Sequence, residues 1–347
     1  MAAKKIDVSI DNGTNWFTLP GGTGELTKEA GQLPDTVFGQ TYESNDSGLI
    51  NWGISADAVY KGFPGYVCDL KKPGSSTTFT TEACTLVSGK RYRINDVTKR
   101  IWDRTATTNV FDNGVNKNAE VLSINFLFGE VTFKSTYTVT GPVTVTGKYF
   151  PTTVLGKAQG YTLTQTANPI NDTTFEAAQA NGGYLTHSPG LRTVNLDVDG
   201  VYALSSGFAA LLQARTELII EINPDGNGKS LARGFFKLAT QNQSGDVGAL
   251  EEESLSFVLN VPDPAITPPV ELPFGWYHDP TTTLSTAVKN CLDSWIAETK
   301  VDVRYMPDGV AGDKGDAVIT ELTLSATLDE VNRFAVSFQG DGALTAF

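Results

Sequence analysis

The chain writes one hairpin twice. Residues 218–241 read LIIEINPDGNGKSLARGFFKLATQ, and residues 301–326 read VDVRYMPDGVAGDKGDAVITELTLSA. Each is a hydrophobic strand, a Pro-Asp-Gly turn, a short polar loop and a second hydrophobic strand. The match extends to both flanks. A helical pattern precedes each hairpin, and a period-two strand follows it, Leu255/Phe257/Leu259 in the first case and Phe334/Val336/Phe338 in the second. Four elements in one order imply two sister β modules, each with one helix.

The later helix is the better patterned. Leu284, Ala287, Val288, Cys291, Leu292, Trp295 and Ile296 fall on one apolar stripe. The earlier one repeats it through Leu204, Phe208, Leu211 and Leu212. Each block also carries one of the two histidines, His187 and His278, ahead of its helix. The second block is too short for a core of its own. Residues 1–72 are therefore expected to join 261–347 as one split domain, with 73–260 inserted as the other; simple tandem order is the alternative.

Elsewhere the text is rich in strands and turns, with 34 Gly and 16 Pro. Ile6, Val8 and Ile10 alternate with polar residues ahead of Asp11-Asn12-Gly13, which predicts an opening hairpin. Residues 24–53 read as a long acidic loop region and 71–83 as a linker. A short helix is expected near 171–183, with Thr173 and Glu176 as a capping box and Gly182-Gly183 as its stop. Five prolines in 261–275 leave only a linker or an edge segment. Residues 130–149 alternate apolar residues with threonine and predict a long hairpin. Its Thr136, Thr138, Thr140, Thr144 and Thr146 mark it as the candidate contact to a neighbouring subunit.

Chemistry is harder to find. The net charge of −13 opposes tight nucleic-acid binding and a basic membrane-binding surface. No apolar run is long enough to span a membrane, and the N-terminus has no secretory pattern. The three cysteines are scattered, as buried reduced thiols would be. Neither histidine has an acidic or nucleophilic partner at motif spacing. The Asp/Gly loops at 223–228 and 308–316 lack calcium-loop spacing and serve as hairpin turns instead. The expectation is no enzyme, no metal and no cofactor. A surface or virion-borne carbohydrate-binding sandwich is the alternative, suggested by Trp52 and Trp276-Tyr277; a carboxylate-based hydrolase is weaker still.

LDSWIAETKVDVRYMPDG running into AVITELTLSATLDEVNRFAVSFQGDGALT, together with the early GELTKEAG and DSGLINWGISADAVY, resembles tail tube proteins of long, non-contractile tailed bacteriophages. The resemblance implies half-barrel or sandwich β domains whose sheets join into a barrel on oligomerisation. The duplicated form implies trimeric, pseudo-sixfold rings stacked into a tube, made in the host cytoplasm and carried in the virion. It further implies tape measure, tail tip and terminator proteins as partners, and double-stranded DNA passing unbound through an acidic lumen. Asp197 and Asp199, alternating with Val198, are the lumen candidates.

Overall fold

The computed structural model describes residues 4–21, 23–34, 45–59, 67–203, 208–224, 228–244, 252–261, 270–279, 284–327 and 332–347. The chain is mainly β, 59% strand and 10% helical, with a curled half-barrel sheet. Among the described residues no helix is long and apolar enough to cross a membrane.

Strands β1 (Lys5–Ser9) and β2 (Phe17–Thr18) form the predicted opening hairpin, Val8 facing Phe17. Asn12 and Gly13 take the positive φ that its turn needs. The expected loop region is instead a hairpin of two long strands, β3 (Thr23–Pro34) and β4 (Asn45–Val59). Its alternation was masked by small residues. Trp52, Ile54, Ala56 and Ala58 are buried, whereas Glu25, Thr27 and Glu29 are exposed on the partner strand. Residues 35–44 lie outside the described residues.

The expected linker is likewise two strands, β5 (Val67–Pro73) and β6 (Thr77–Ser88). Threonine favours strands, and only Phe79 of β6 needs to reach a core. Next come β7 (Arg91–Ile94), β8 (Asn109–Asp112), β9 (Val115–Asn116), β10 (Val121–Asn125), β11 (Glu130–Phe133) and β12 (Val143–Tyr149). They build a second sheet, ordered β10-β11-β7-β6-β12-β8-β9. The hairpin expected over 130–149 therefore does not form: β11 pairs with β10 and β7, and β12 with β6 and β8. Residues 134–142 carry the chain from one to the other across two strands.

The chain continues through β13 (Thr152–Lys157), β14 (Gly160–Ala167), β15 (Ile170–Asn171), α1 (Phe175–Ala180), β16 (His187–Ser188), β17 (Arg192–Ala203) and α2 (Phe208–Ala214). The cap of α1 is Thr174, one residue later than expected; its hydroxyl accepts from the Ala177 amide. The predicted stop holds, with Gly182 and Gly183 at positive φ. Leu204 and the Asp225-Gly226 turn lie outside the described residues.

Strands β18 (Glu217–Asn223), β19 (Ser230–Ser244) and β20 (Glu252–Leu259) make the first meander. In the proline-rich segment the described residues include β21 (Val270–Glu271), which sits at the edge of the second sheet beside β10, as neighbouring prolines favour; residues 262–269 lie outside the described residues. After β22 (Phe274–His278) and α3 (Thr286–Ala297), strands β23 (Val301–Met306), β24 (Asp313–Thr327) and β25 (Arg333–Gly340) make the second meander, and β26 (Thr345–Ala346) closes the chain. Helix α3 buries its predicted stripe, Ala287, Val288, Cys291, Leu292 and Trp295, under a Ser285 cap.

The two meanders share more than order. In each, the central strand slips register once, between Leu238 and Thr240 and between Ile319 and Glu321, opposite Phe257 and Phe338. Their neighbours also correspond: one series runs β2-β1-β23-β24-β25-β4-β3 and the other β13-β5-β18-β19-β20-β17-β14.

By contact the chain divides into unit 1, Met1–Phe63 with Thr162–Asn195 and Thr282–Phe347, and unit 2, Pro64–Tyr161 with Leu196–Thr281. The N-terminal strands join the C-terminal block, β1 beside β23 and β4 beside β25. The boundaries differ from 72/73 and 260/261 because β5 pairs with β18 and β22 with β19, which draws both into unit 2. Unit 2 holds an aromatic core of Phe79, Trp102, Phe126, Phe128, Phe133 and Phe235.

Candidate functional site

A sheet edge exposes a row of unpaired amide and carbonyl groups, so a strand that has one neighbour where two are possible is a candidate binding surface. Strand β3 is the longest such edge: among the described residues it pairs with β4 alone. Its side chains are polar and mostly exposed, Glu25, Thr27, Lys28 and Glu29 among them. Lys28 turns back to Asp313 at 2.8 Å.

The central strands of the meanders differ in how fully they are paired. Strand β24 has β23 along Asp313–Ala317 and β25 along Ala317–Ser325, and β14 occupies the remaining edge of its second half. Strand β19 has β18 along Ala232–Lys237 and β20 along Phe236–Ser244. On the β18 side, no described strand continues past Lys237. One half-edge is filled, and among the described residues no strand lies along its counterpart.

Asp197 and Asp199 are both exposed on β17, while Leu196 and Val198 between them are buried. Asp197 accepts from Ser256 Oγ at 2.6 Å. On the hairpin of β3 and β4, Glu25, Glu29 and Asp57 stand on the face turned from the core, with Arg333 reaching Asp57 at 3.6 Å. On β17 the alternation read in the sequence thus produces an acidic solvent face on a strand whose other face is core.

The five threonines divide. Thr144 and Thr146 are half-buried on β12, alternating with buried Val143, Val145 and Gly147. Thr136, Thr138 and Thr140 are exposed on the crossing segment. Asp112 ties that segment down: it accepts from Tyr137 Oη at 2.7 Å, Thr140 N at 2.8 Å and Gly141 N at 2.7 Å. Burial works to raise its pKa, but these hydrogen bonds outweigh it and hold the carboxyl below the usual range. The same bond pushes the Tyr137 phenol up to about 12. The segment is built as a fixed crossover, not a free arm.

Of the aromatics that suggested sugar binding, Tyr277 is half-buried, whereas both tryptophans are buried. Trp52 is 2% exposed with its indole N–H on the Gly342 carbonyl, and Trp276 is buried and stacked on His278. His187 is buried against the Gly340 carbonyl at 2.8 Å, and no described nucleophile contacts it. All three cysteines are free. Burial pushes the Cys68 thiol well up and the Cys84 and Cys291 thiols up to about 12. Among the described residues no group of three His, Cys, Asp or Glu side chains could hold a metal.

Sequence reading missed the buried ion pairs. Arg93 meets Glu130 under the Tyr277 ring, Arg104 meets Glu217 and Glu271, and Arg304 meets Asp7. No spacing signals them, because the partners stand 37 or more residues apart in the chain. No family model matches the chain, and no curated protein matches it.

Proposed function

We propose that this chain is a structural subunit that polymerises through its strand edges, the tail tube protein of a long, non-contractile tailed bacteriophage, and that its two strand series descend from a duplicated module. The observation that carries the reading is the half-open edge of β19, set against the filled edge of β24. The counterpart of β14 in the other series is β3, which among the described residues pairs on one side only. Laid along Leu238–Ser244 of a second copy, β3 would give β19 the neighbour that β14 gives β24. Each copy then offers one edge and accepts one, which is a head-to-tail contact that closes into a ring. Three two-module copies give six modules, and joining their sheets removes the edges. Stacking such rings makes a filament.

The acidic faces of β17 and of the β3–β4 hairpin support the same reading. Duplex DNA carries about one charge per 1.7 Å, so a conduit lined by Asp197, Asp199, Glu25 and Glu29 lets it slide without holding it. Tape measure, tail tip and terminator proteins would meet the tube at its bore and ends.

Electron microscopy of the purified full chain tests this. Hollow filaments with threefold rings are the expected outcome, and a monomer under all conditions overturns the reading. Proline at Thr27 or at Lys28 sharpens it, since one of two successive residues aims its N–H away from β4. That variant should remain folded by circular dichroism and form no filaments.

A further inference from the structure

Two surface patches, one in each unit, expose apolar side chains and carry opposite charge. In unit 1, Phe175 opens helix α1 and is 89% exposed. A cavity of about 480 Å3 lies between it, Ala178 and Leu49 of β4, and Leu49 is itself 43% exposed. The charged neighbours are acidic. Asp172 and Glu176 are exposed, and the Ser188 hydroxyl donates to Asp172 and holds its carboxyl below the usual range.

In unit 2 the tip of the β6–β7 hairpin has the opposite sign. Residues 85–89 are all exposed, and register slips between Leu86 and Ser88, which makes Val87 the extra residue of a bulge. A bulge re-aims side chains, and here both Leu86, 52% exposed, and Val87 face solvent. The charged neighbours are basic. Lys90 Nζ meets only the Tyr137 carbonyl, at 2.7 Å, and Arg91 comes to 4.0 Å from Glu130, whose carboxylate Arg93 already holds. The whole second sheet shares this sign. Residues 77–150 hold nine of the chain's 26 Lys and Arg but six of its 39 Asp and Glu, a balance of +3 against −16 for the remainder.

We propose that the β6–β7 tip of one copy docks on the α1 patch of a second copy, with Leu86 and Val87 entering the cavity beside Phe175 and Leu49 while Lys90 and Arg91 meet Asp172 and Glu176. The occupant is this chain because each patch supplies what the other lacks: both bring apolar side chains to a centre, and the charges at their rims are opposite. Two different patches make a heterologous contact, which repeats from copy to copy. The inference rests on the tube reading only for its place, as the contact between stacked rings; the docking itself does not need the β3 edge.

Cross-linking of the full chain tests the docking. Val87→Cys and Phe175→Cys, both at exposed positions, are made as separate variants and oxidised alone or mixed. The mixture should give disulfide-linked dimers roughly tenfold above either variant alone, because docking raises the effective concentration of the two thiols; equal yields overturn the proposal. Arg91→Glu should raise roughly tenfold the concentration at which multimers sediment, and adding Glu176→Arg to the same chain should restore it. Association unchanged in Arg91→Glu also overturns the docking. If the native chain forms no filaments but the cysteine variants still cross-link, the tube reading fails and the docking stands. If filaments form and the mixture cross-links no better than the single variants, the docking fails and the tube reading stands.

Discussion

Ile219 faces Phe235 across one meander as Asp302 faces Asp316 across the other. Phe235 and Asp316 each stand three positions before the residue where register slips. In unit 2 the Ile219–Phe235 pair is fully buried in the core shared with Phe79, Trp102 and Phe128. In unit 1 the same place on the strands is a polar cavity. The difference traces to a loop. Strands β1 and β2 join through a tight turn, whereas the corresponding strands β5 and β13 are separated by β6 to β12. Once a second sheet covers the site, the pair must be apolar; where only a turn covers it, carboxyl groups can stand there. One backbone pattern tolerates opposite chemistries, and the cover decides which.

The comparison breaks most severely if the chemistry is exchanged. Phe235→Asp should place a carboxylate in the aromatic core and destabilise the chain by more than about 4 kcal/mol, read as loss of the cooperative urea transition. A mild effect would mean that the covering sheet is not a packed core.

A smaller effect separates two kinds of acid. Asp112 is satisfied by four hydrogen-bond donors and Asp302 is crowded by a second acid, so their pH signatures oppose. The depressed pKa of Asp112 gives stability that is present above pH 4 and is lost as pH falls below it. Asp112→Ala, which strands the Thr140 and Gly141 amides, should cost about 1–3 kcal/mol at pH 7 and remove that acid dependence in denaturation midpoints.

The least effect is expected on the crossing segment. Thr136→Ala with Thr138→Ala alters exposed side chains outside any strand, so stability should change by less than about 0.5 kcal/mol. Filaments, seen by microscopy, should form as before. Loss of filaments would restore an inter-subunit role to this stretch and weaken the claim of β3.

What could be read from the text were features with a local cause. The stripe of α3, the glycine stop of α1, the Asn12-Gly13 turn and the two meanders rest on side-chain period and turn chemistry within a few residues. The β3–β4 hairpin was missed because two of the four buried positions on β4 are alanine, Ala56 and Ala58, which carry little hydrophobic signal. The 130–149 hairpin was wrongly expected because alternation fixes which face is buried and says nothing of which strand lies alongside.

The order of residues by itself determined that this is a β-rich chain with two alike meanders and alternating acids at Asp197 and Asp199. Only the tertiary structure decided which edges stay open, that β11 and β12 part company, and that Arg93, Arg104 and Arg304 find buried carboxylates. The reason is range: period and turn propensity act over a few residues, whereas strand partners and charge pairs are chosen by contacts between distant segments, 37 residues apart for Arg93–Glu130 and 297 for Arg304–Asp7.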